Sequence, residues 1–292
     1  MLNPSTGSYF VNVSAGAYQA GTGAGDWNKL EILVPSGGSP TAAIVLALPV
    51  EAGDTSTRQY GSAIQLIRAA GWHDAHNVAV VTPAFSSTPW FADRAANTTT
   101  TPVRQESYIL QVVIPYLRSR TVGGISLAGP ISLVGFSKSG WGTFSLMARN
   151  PTIFHRASVW DAPTMLGVDF CEWLRGQDMW GMMANFGDCQ TWKANSPVEL
   201  VRAGAGAAIS GRVWLGGQHY FGSMCSAHGC AQAPGAPFNH TVQFHQLLAD
   251  HSVNHMYDDD LDPGKHEWSW LWLRPALDSL LANTDPTIAG AR

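Results

Sequence analysis

Ile131-Ser132-Leu133-Val134-Gly135-Phe136-Ser137-Lys138-Ser139-Gly140-Trp141-Gly142 is the stretch that decides how this 292-residue chain folds. An apolar, β-branched run ends at a glycine, a serine stands two residues on, and small residues then open a segment able to start a helix. The pattern predicts a strand over Ile131–Phe136, a sharp turn with Ser137 at its tip, and a helix over Gly140–Arg149. Only a tight and strained turn lifts a serine hydroxyl clear of a sheet, and small residues must flank it. Gly135 and Ser139 hold the two flanking positions, giving G-x-S-x-S with serine where glycine is usual.

Around this segment, apolar runs alternate with helical periodicity. Ser8–Val13 and Leu30–Val34 alternate in polarity and predict half-exposed antiparallel strands. Ala42–Leu48 and Asn77–Thr82 are continuous apolar runs, as expected of strands buried on both faces. Arg58–Ala70 predicts a helix ending at Gly71. Val103–Arg120 predicts one kinked at Pro115. Pro83–Pro102 is a long Ser/Thr/Pro-rich loop. Arg156–Asp161 predicts a strand cut off by Pro163. Residues 164–210 break the rhythm and predict an inserted cap, in which Ser196-Pro197-Val198-Glu199 marks a helix start by its capping box. Arg212–Leu215, Thr241–Asp250, Val253–Tyr257 and Trp268–Leu281 predict strand, helix, strand and helix. The whole, residues 1–292, predicts a single α/β domain, a mainly parallel sheet with helices on both faces. In such sheets ligands sit beyond the carboxyl ends of the strands. Ser137, Asp161 and the turn after Leu48 all fall there.

Composition narrows the function. Apolar residues make up 45% of the chain, charged residues only 13%, and the formal net charge is −4, with no run of Lys/Arg to serve a nucleic acid. No apolar run reaches the length of a membrane span. The start of the sequence lacks the charged and apolar regions of a signal peptide. Cys171, Cys189, Cys225 and Cys230 fit two disulfides by proximity (171–189 and 225–230) in an exported protein, or four reduced thiols in a cytoplasmic one. Twelve tryptophans and a Ser/Thr/Gly-rich N-terminal segment favour the extracellular alternative.

A serine hydroxyl needs a base within hydrogen-bond reach, and histidine suits this at neutral pH. His266, after the last expected strand in Pro263-Gly264-Lys265-His266-Glu267-Trp268, is placed to return over the nucleophile; its other reading is a cap of the final helix. His255 is the second candidate, inside an expected strand. The imidazole needs a carboxylate to fix its tautomer. Asp161 ends a strand close to the elbow. The commoner place, after Leu215, reads Gly216-Gly217-Gln218-His219-Tyr220 and holds no carboxylate. Asp258, Asp259 and Asp260 form a charge run suited to solvent. Ser137, Asp161, His266 is the chain order of a hydrolase triad. Two N–H donors must hold the oxyanion. Lys138 supplies one, and Val50 or Glu51 the other, because Pro49 has none. Trp90, Trp141, Trp160 and Trp268 lie near these positions and either wall a substrate pocket or pack the core.

Other patterns carry less. Gly21-Thr22-Gly23-Ala24-Gly25 precedes a strand and has no helix to hold a pyrophosphate. Cys225-Ser226-Ala227-His228-Gly229-Cys230 fits a loop disulfide better than zinc, since no matching pair of ligands is evident, so no metal is expected. His251 and His255 straddle an expected helix end.

Gly135-Phe136-Ser137-Lys138-Ser139-Gly140-Trp141-Gly142 resembles the G-x-S-M-G-G-x-G elbow of the esterase D / S-formylglutathione hydrolase group of the α/β-hydrolase superfamily, to which the antigen-85 acyltransferases are related. His266-Glu267-Trp268-Ser269-Trp270 is similar to that group's His-x-Trp-x-x-Trp neighbourhood, the second Trp displaced by one. Pro49-Val50 replaces the group's His-Gly, and its acid position after Leu215 is empty. The resemblance implies the α/β-hydrolase fold, carboxylic-ester substrates and no cofactor. The expectation is therefore a serine carboxylic-ester hydrolase acting through an acyl-enzyme on a small or polymeric ester, with no nucleic-acid or membrane partner. Acyl transfer to an alcohol or sugar, and a non-catalytic binding protein on the same scaffold, are the alternatives.

Overall fold

The computed structural model describes residues 7–14, 18, 29–37, 39–50, 60–85, 90–94, 103–174, 186–217, 240–258 and 268–282. Strands β1 (Tyr9–Asn12), β2 (Lys29–Leu33), β3 (Ala43–Ala47), β4 (Val78–Pro83), β7 (Ile131–Phe136), β8 (Phe154–Trp160), β9 (Val213–Gly216) and β10 (Met256–Asp258) form one sheet. Its order is β1-β2-β4-β3-β7-β8-β9-β10. The β1–β2 and β2–β4 pairs are antiparallel and the rest are parallel. A separate hairpin, β5 (Thr121–Val122) with β6 (Ile125–Ser126), was not evident from periodicity. It turns on Gly123 and Gly124, both at positive φ as a two-residue turn requires.

Alternation along the central strands feeds two cores. Ile44, Leu46, Ile131 and Leu133 face one, and Val45, Ala47, Val134 and Phe136 the other. The first is covered by α3 (Gln105–Tyr108), α4 (Ile114–Arg118), α5 (Ser137–Arg149) and α9 (His240–Asp250), through residues such as Tyr108, Leu117, Phe144 and Phe244. The second is covered by α1 (Ala63–Ala69), α2 (Trp72–His76) and α10 (Trp270–Leu281), through Ile64, Ile67, Trp72, Trp272 and Leu277. Between β8 and β9 lie α6 (Val168–Leu174), α7 (Cys189–Asn195), α8 (Pro197–Arg202) and a 3-10 turn, Ala205–Ile209. A Cys171–Cys189 disulfide joins α6 to α7. Cys225 and Cys230 lie outside the described residues.

Several local expectations need correction. β2 is buried along Leu30–Leu33 rather than half-exposed. It lies between β1 and β4, and its one polar residue there, Glu31, accepts the Ser8 hydroxyl at 2.5 Å. The irregularity expected at Pro115 takes the form of a π-helical stretch over Ile109–Val113, in which the Ile114 N–H reaches back five residues to Ile109. A wider turn just before a residue without an N–H relieves both the missing bond and the ring clash. The capping box at Ser196 does not form. Ser196 Oγ donates to the Leu166 carbonyl (2.7 Å), and Glu199 Oε1 accepts the Val168 N–H (3.2 Å), so both side chains hold a neighbouring turn instead. β10 begins at Met256 rather than Val253 because the Asn254 peptide is already engaged: its N–H donates to Ser210 Oγ and its carbonyl accepts from Gly211.

Candidate active site

The elbow forms where expected, and its helix starts at Ser137, three residues earlier than the sequence suggested. Ser137 is buried and has φ +53°, a left-handed conformation that costs a side-chain-bearing residue about 1–2 kcal/mol. Close packing enforces it. A Cβ on Gly135 would lie 2.5 Å from Thr143 Oγ1 and 2.6 Å from the Ser139 carbonyl oxygen. On Gly140 it would lie 2.7 Å from Ala162 Cβ. Ser139 does more than fit. Its hydroxyl donates to the Phe136 carbonyl (2.8 Å) and accepts the Phe136 N–H (3.1 Å), closing the turn on a peptide at the strand end. That bracket is what serine provides in the place of the usual glycine.

Asp161 follows the last residue of the neighbouring strand β8 and is likewise buried and left-handed, at φ +44°. Its carbonyl accepts the Ser137 N–H at 3.0 Å. The nucleophile candidate and the acid candidate thus share one backbone hydrogen bond across the carboxyl edge of the sheet. The turn after β3 lies on the other flank: Leu48 N–H bonds the Val134 carbonyl at 3.0 Å, and Val50 is buried two residues on. Lys138 occupies the first turn of α5, whose amides point toward the carboxyl edge at the positive end of the helix dipole. Glu51 and His266 lie outside the described residues.

The four tryptophans divide into two pairs, all at most 4% exposed. Trp160 stacks on Phe136 (centroids 5.5 Å, 10° between planes), and Trp268 meets both edge-on, at 5.0 Å from Phe136 and 5.2 Å from Trp160. These three rings belong to the residue before Ser137, the residue before Asp161 and the residue two after His266. Trp90 and Trp141 instead contact each other at 5.4 Å and join Trp192 and Phe186 around the Cys171–Cys189 bridge. The loop bearing Trp90 presses on α5, where a Cβ at Gly142 would lie 2.4 Å from Phe91 Cδ2.

The competing candidates lie apart. His255 precedes β10 at the amino end of that strand, the opposite edge from Ser137. Its Nδ1 is 2.8 Å from the Val253 carbonyl and its Nε2 2.8 Å from His245 Nδ1, and burial holds its pKa down. Its partner is therefore His245, not His251. Asp258 ends β10 and accepts the Gly217 N–H on its carbonyl at 2.7 Å; Asp259 and Asp260 lie outside the described residues. Among the described residues no group of three or more His, Cys, Asp or Glu side chains could hold a metal, and no helix is long and apolar enough to cross a membrane. One site-adjacent residue was missed. His240, the first residue of α9, is buried and accepts the Met165 N–H on Nδ1 at 3.2 Å. No periodicity or motif marks it.

A largely parallel sheet in this strand order, with a serine on a left-handed elbow after its central strand, defines the α/β-hydrolase fold. Solved structures sharing it include an S-formylglutathione hydrolase from Agrobacterium tumefaciens (TM-score 0.56, 12% identity, 87% of each chain covered). FphF, a fluorophosphonate-binding serine hydrolase of Staphylococcus aureus, aligns at TM-score 0.58 with 15% identity over 94% of this chain and 98% of its own. MPT51 (FbpC1) of Mycobacterium tuberculosis aligns at 0.56 with 16% identity over 95% and 93%. At these identities the likeness is one of fold. No family model matches the sequence, and no match to it was found among curated proteins.

Proposed function

We propose that the protein is a serine carboxylic-ester hydrolase. Ser137 attacks the ester carbonyl, His266 takes its proton and returns it to the leaving alcohol, and Asp161 orients the imidazole. The amides of Lys138 and of Val50 or Glu51 hold the oxyanion, and water then hydrolyses the acyl-enzyme. The observation that carries this reading is the Ser137 N–H···O=C Asp161 bond between two left-handed residues at adjacent strand ends. Backbone strain of this kind persists where the surrounding structure over-determines it, and it clusters at active sites. Trp268 supports His266 as base. Its ring touches both Phe136 and Trp160, and two residues of chain span at most about 7 Å. The fold's presence in esterases and serine hydrolases fits the same reading. The Cys171–Cys189 bridge supports an extracellular or otherwise oxidising location.

A fluorophosphonate probe and a series of p-nitrophenyl esters of increasing chain length test it. Wild type is expected to be labelled at Ser137 and to turn over at least the shorter esters. Ser137→Ala is expected to lose labelling and on the order of a million-fold in kcat. Turnover by Ser137→Ala within tenfold of wild type refutes the assignment.

A further inference from the structure

The turn that carries Asp161 is short and closed on itself. Thr164 N–H bonds the Ala162 carbonyl at 2.8 Å, and Leu166 N–H bonds the Pro163 carbonyl at 3.3 Å. The peptide N–H between these two, that of Met165, is taken by a side chain from far along the sequence, His240 Nδ1 at 3.2 Å. An imidazole nitrogen that accepts a hydrogen bond carries no proton, so His240 holds its proton on Nε2. That is the wrong tautomer for a triad base, whose Nδ1 must donate to the acid. Burial pushes the His240 pKa down to about 3, which keeps this acceptor in place at neutral pH. His240 begins the helix that follows β9, the strand whose end holds no carboxylate in Gly216-Gly217-Gln218-His219-Tyr220.

We infer that His240 is a positioning residue: its Nδ1 anchors the Asp161–Met165 turn through the Met165 N–H and so fixes the direction in which the Asp161 carboxylate faces the base. Helix α9 thereby serves the acid from outside, by bracing the turn after β8 through its first residue. This inference rests on the serine-hydrolase reading above.

The test compares His240→Leu and His240→Asn, alone and combined with Asp161→Asn, by kcat and KM on one p-nitrophenyl ester, with melting temperature as a fold check. His240→Leu removes the acceptor and is expected to lower kcat about tenfold to a hundredfold, the scale of a small misplacement, with KM nearly unchanged. His240→Asn puts an oxygen close to the position of Nδ1 and is expected to recover most of that loss. In the Asp161→Asn background His240→Leu should add almost nothing, because the two act through one group. Losses that multiply, absence of rescue by asparagine, or a kcat for His240→Leu within about twofold of wild type would overturn the inference. Should His240→Leu not fold, His240→Ala, which also removes the acceptor, takes its place with the same expectations. Wild-type protein that neither binds the fluorophosphonate nor turns over esters would refute the hydrolase reading, and this inference with it.

Discussion

Two aromatic clusters of similar composition do different things. Phe136, Trp160 and Trp268 join three segments far apart in sequence, each within two residues of a proposed triad member. Trp90, Trp141, Phe186 and Trp192 surround the Cys171–Cys189 bridge and fasten the helices between β8 and β9 onto α5. In the proposed mechanism the first cluster sets where the reacting groups stand, whereas the second sets only how α6 and α7 seat on α5. Equal burial therefore does not mean equal consequence for chemistry.

Asp161→Asn is expected to have the largest effect after loss of the nucleophile itself, about ten-thousand-fold in kcat, since an amide favours the wrong imidazole tautomer. The same change at Asp258, Asp259 or Asp260 should leave kcat within severalfold of wild type. A reversed outcome would move the acid to the loop before His266. Trp268→Ala and Trp192→Ala should each cost about 3–5 kcal/mol of stability by denaturant unfolding. Only Trp268→Ala should also lower kcat per folded molecule, by tenfold or more. Equal kcat losses in the two variants would dissolve the distinction between the clusters. Replacing Cys171 and Cys189 by serine opens a cross-link spanning 18 residues and should cost about 3 kcal/mol, read as a lower melting temperature with turnover of the folded protein retained.

A comparable effect is expected on acid stability. His240 protonates near pH 3 when folded but near 6.5 when unfolded, so between those values the unfolded chain binds the extra proton. Stability from this group is complete above pH 6.5 and falls as pH drops toward 3, by at most about 1.4 kcal/mol per unit. His240→Asn should flatten that slope in melting temperatures taken from pH 6.5 to 4. An unchanged slope would mean that other groups set the acid limit.

What the sequence made legible was local. Ile131–Phe136 is β-branched and ends at a glycine, and Pro163 cuts the chain just after Asp161, so both strand ends could be read without knowing their neighbours. The Ser139 bracket could not, because a serine at that position reads as a small residue until its hydroxyl is seen on the Phe136 peptide. Ser196 and Glu199 carried a correct signal for a helix start, yet their side chains serve the 166–168 turn, a contact no local pattern encodes. Glu31 breaks the rule that charges face water because Ser8, from the adjoining chain segment, meets it inside. His240 lies 75 residues from Met165, and nothing between them announces the bond.

The placement of Trp268 also sets an order of events during synthesis. Strands β3, β7 and β8 can pair as soon as they leave the ribosome, and domains tend to fold from the N-terminal side. The edge-on contacts to Phe136 and Trp160 wait until the segment leading into α10 has emerged, more than a hundred residues later. Until then the growing chain presents two stacked aromatic rings beside a strained serine without the edge-on cover of Trp268. A nascent chain of this design therefore carries an exposed aromatic face until its last helix is made, a transient of the kind that favours aggregation.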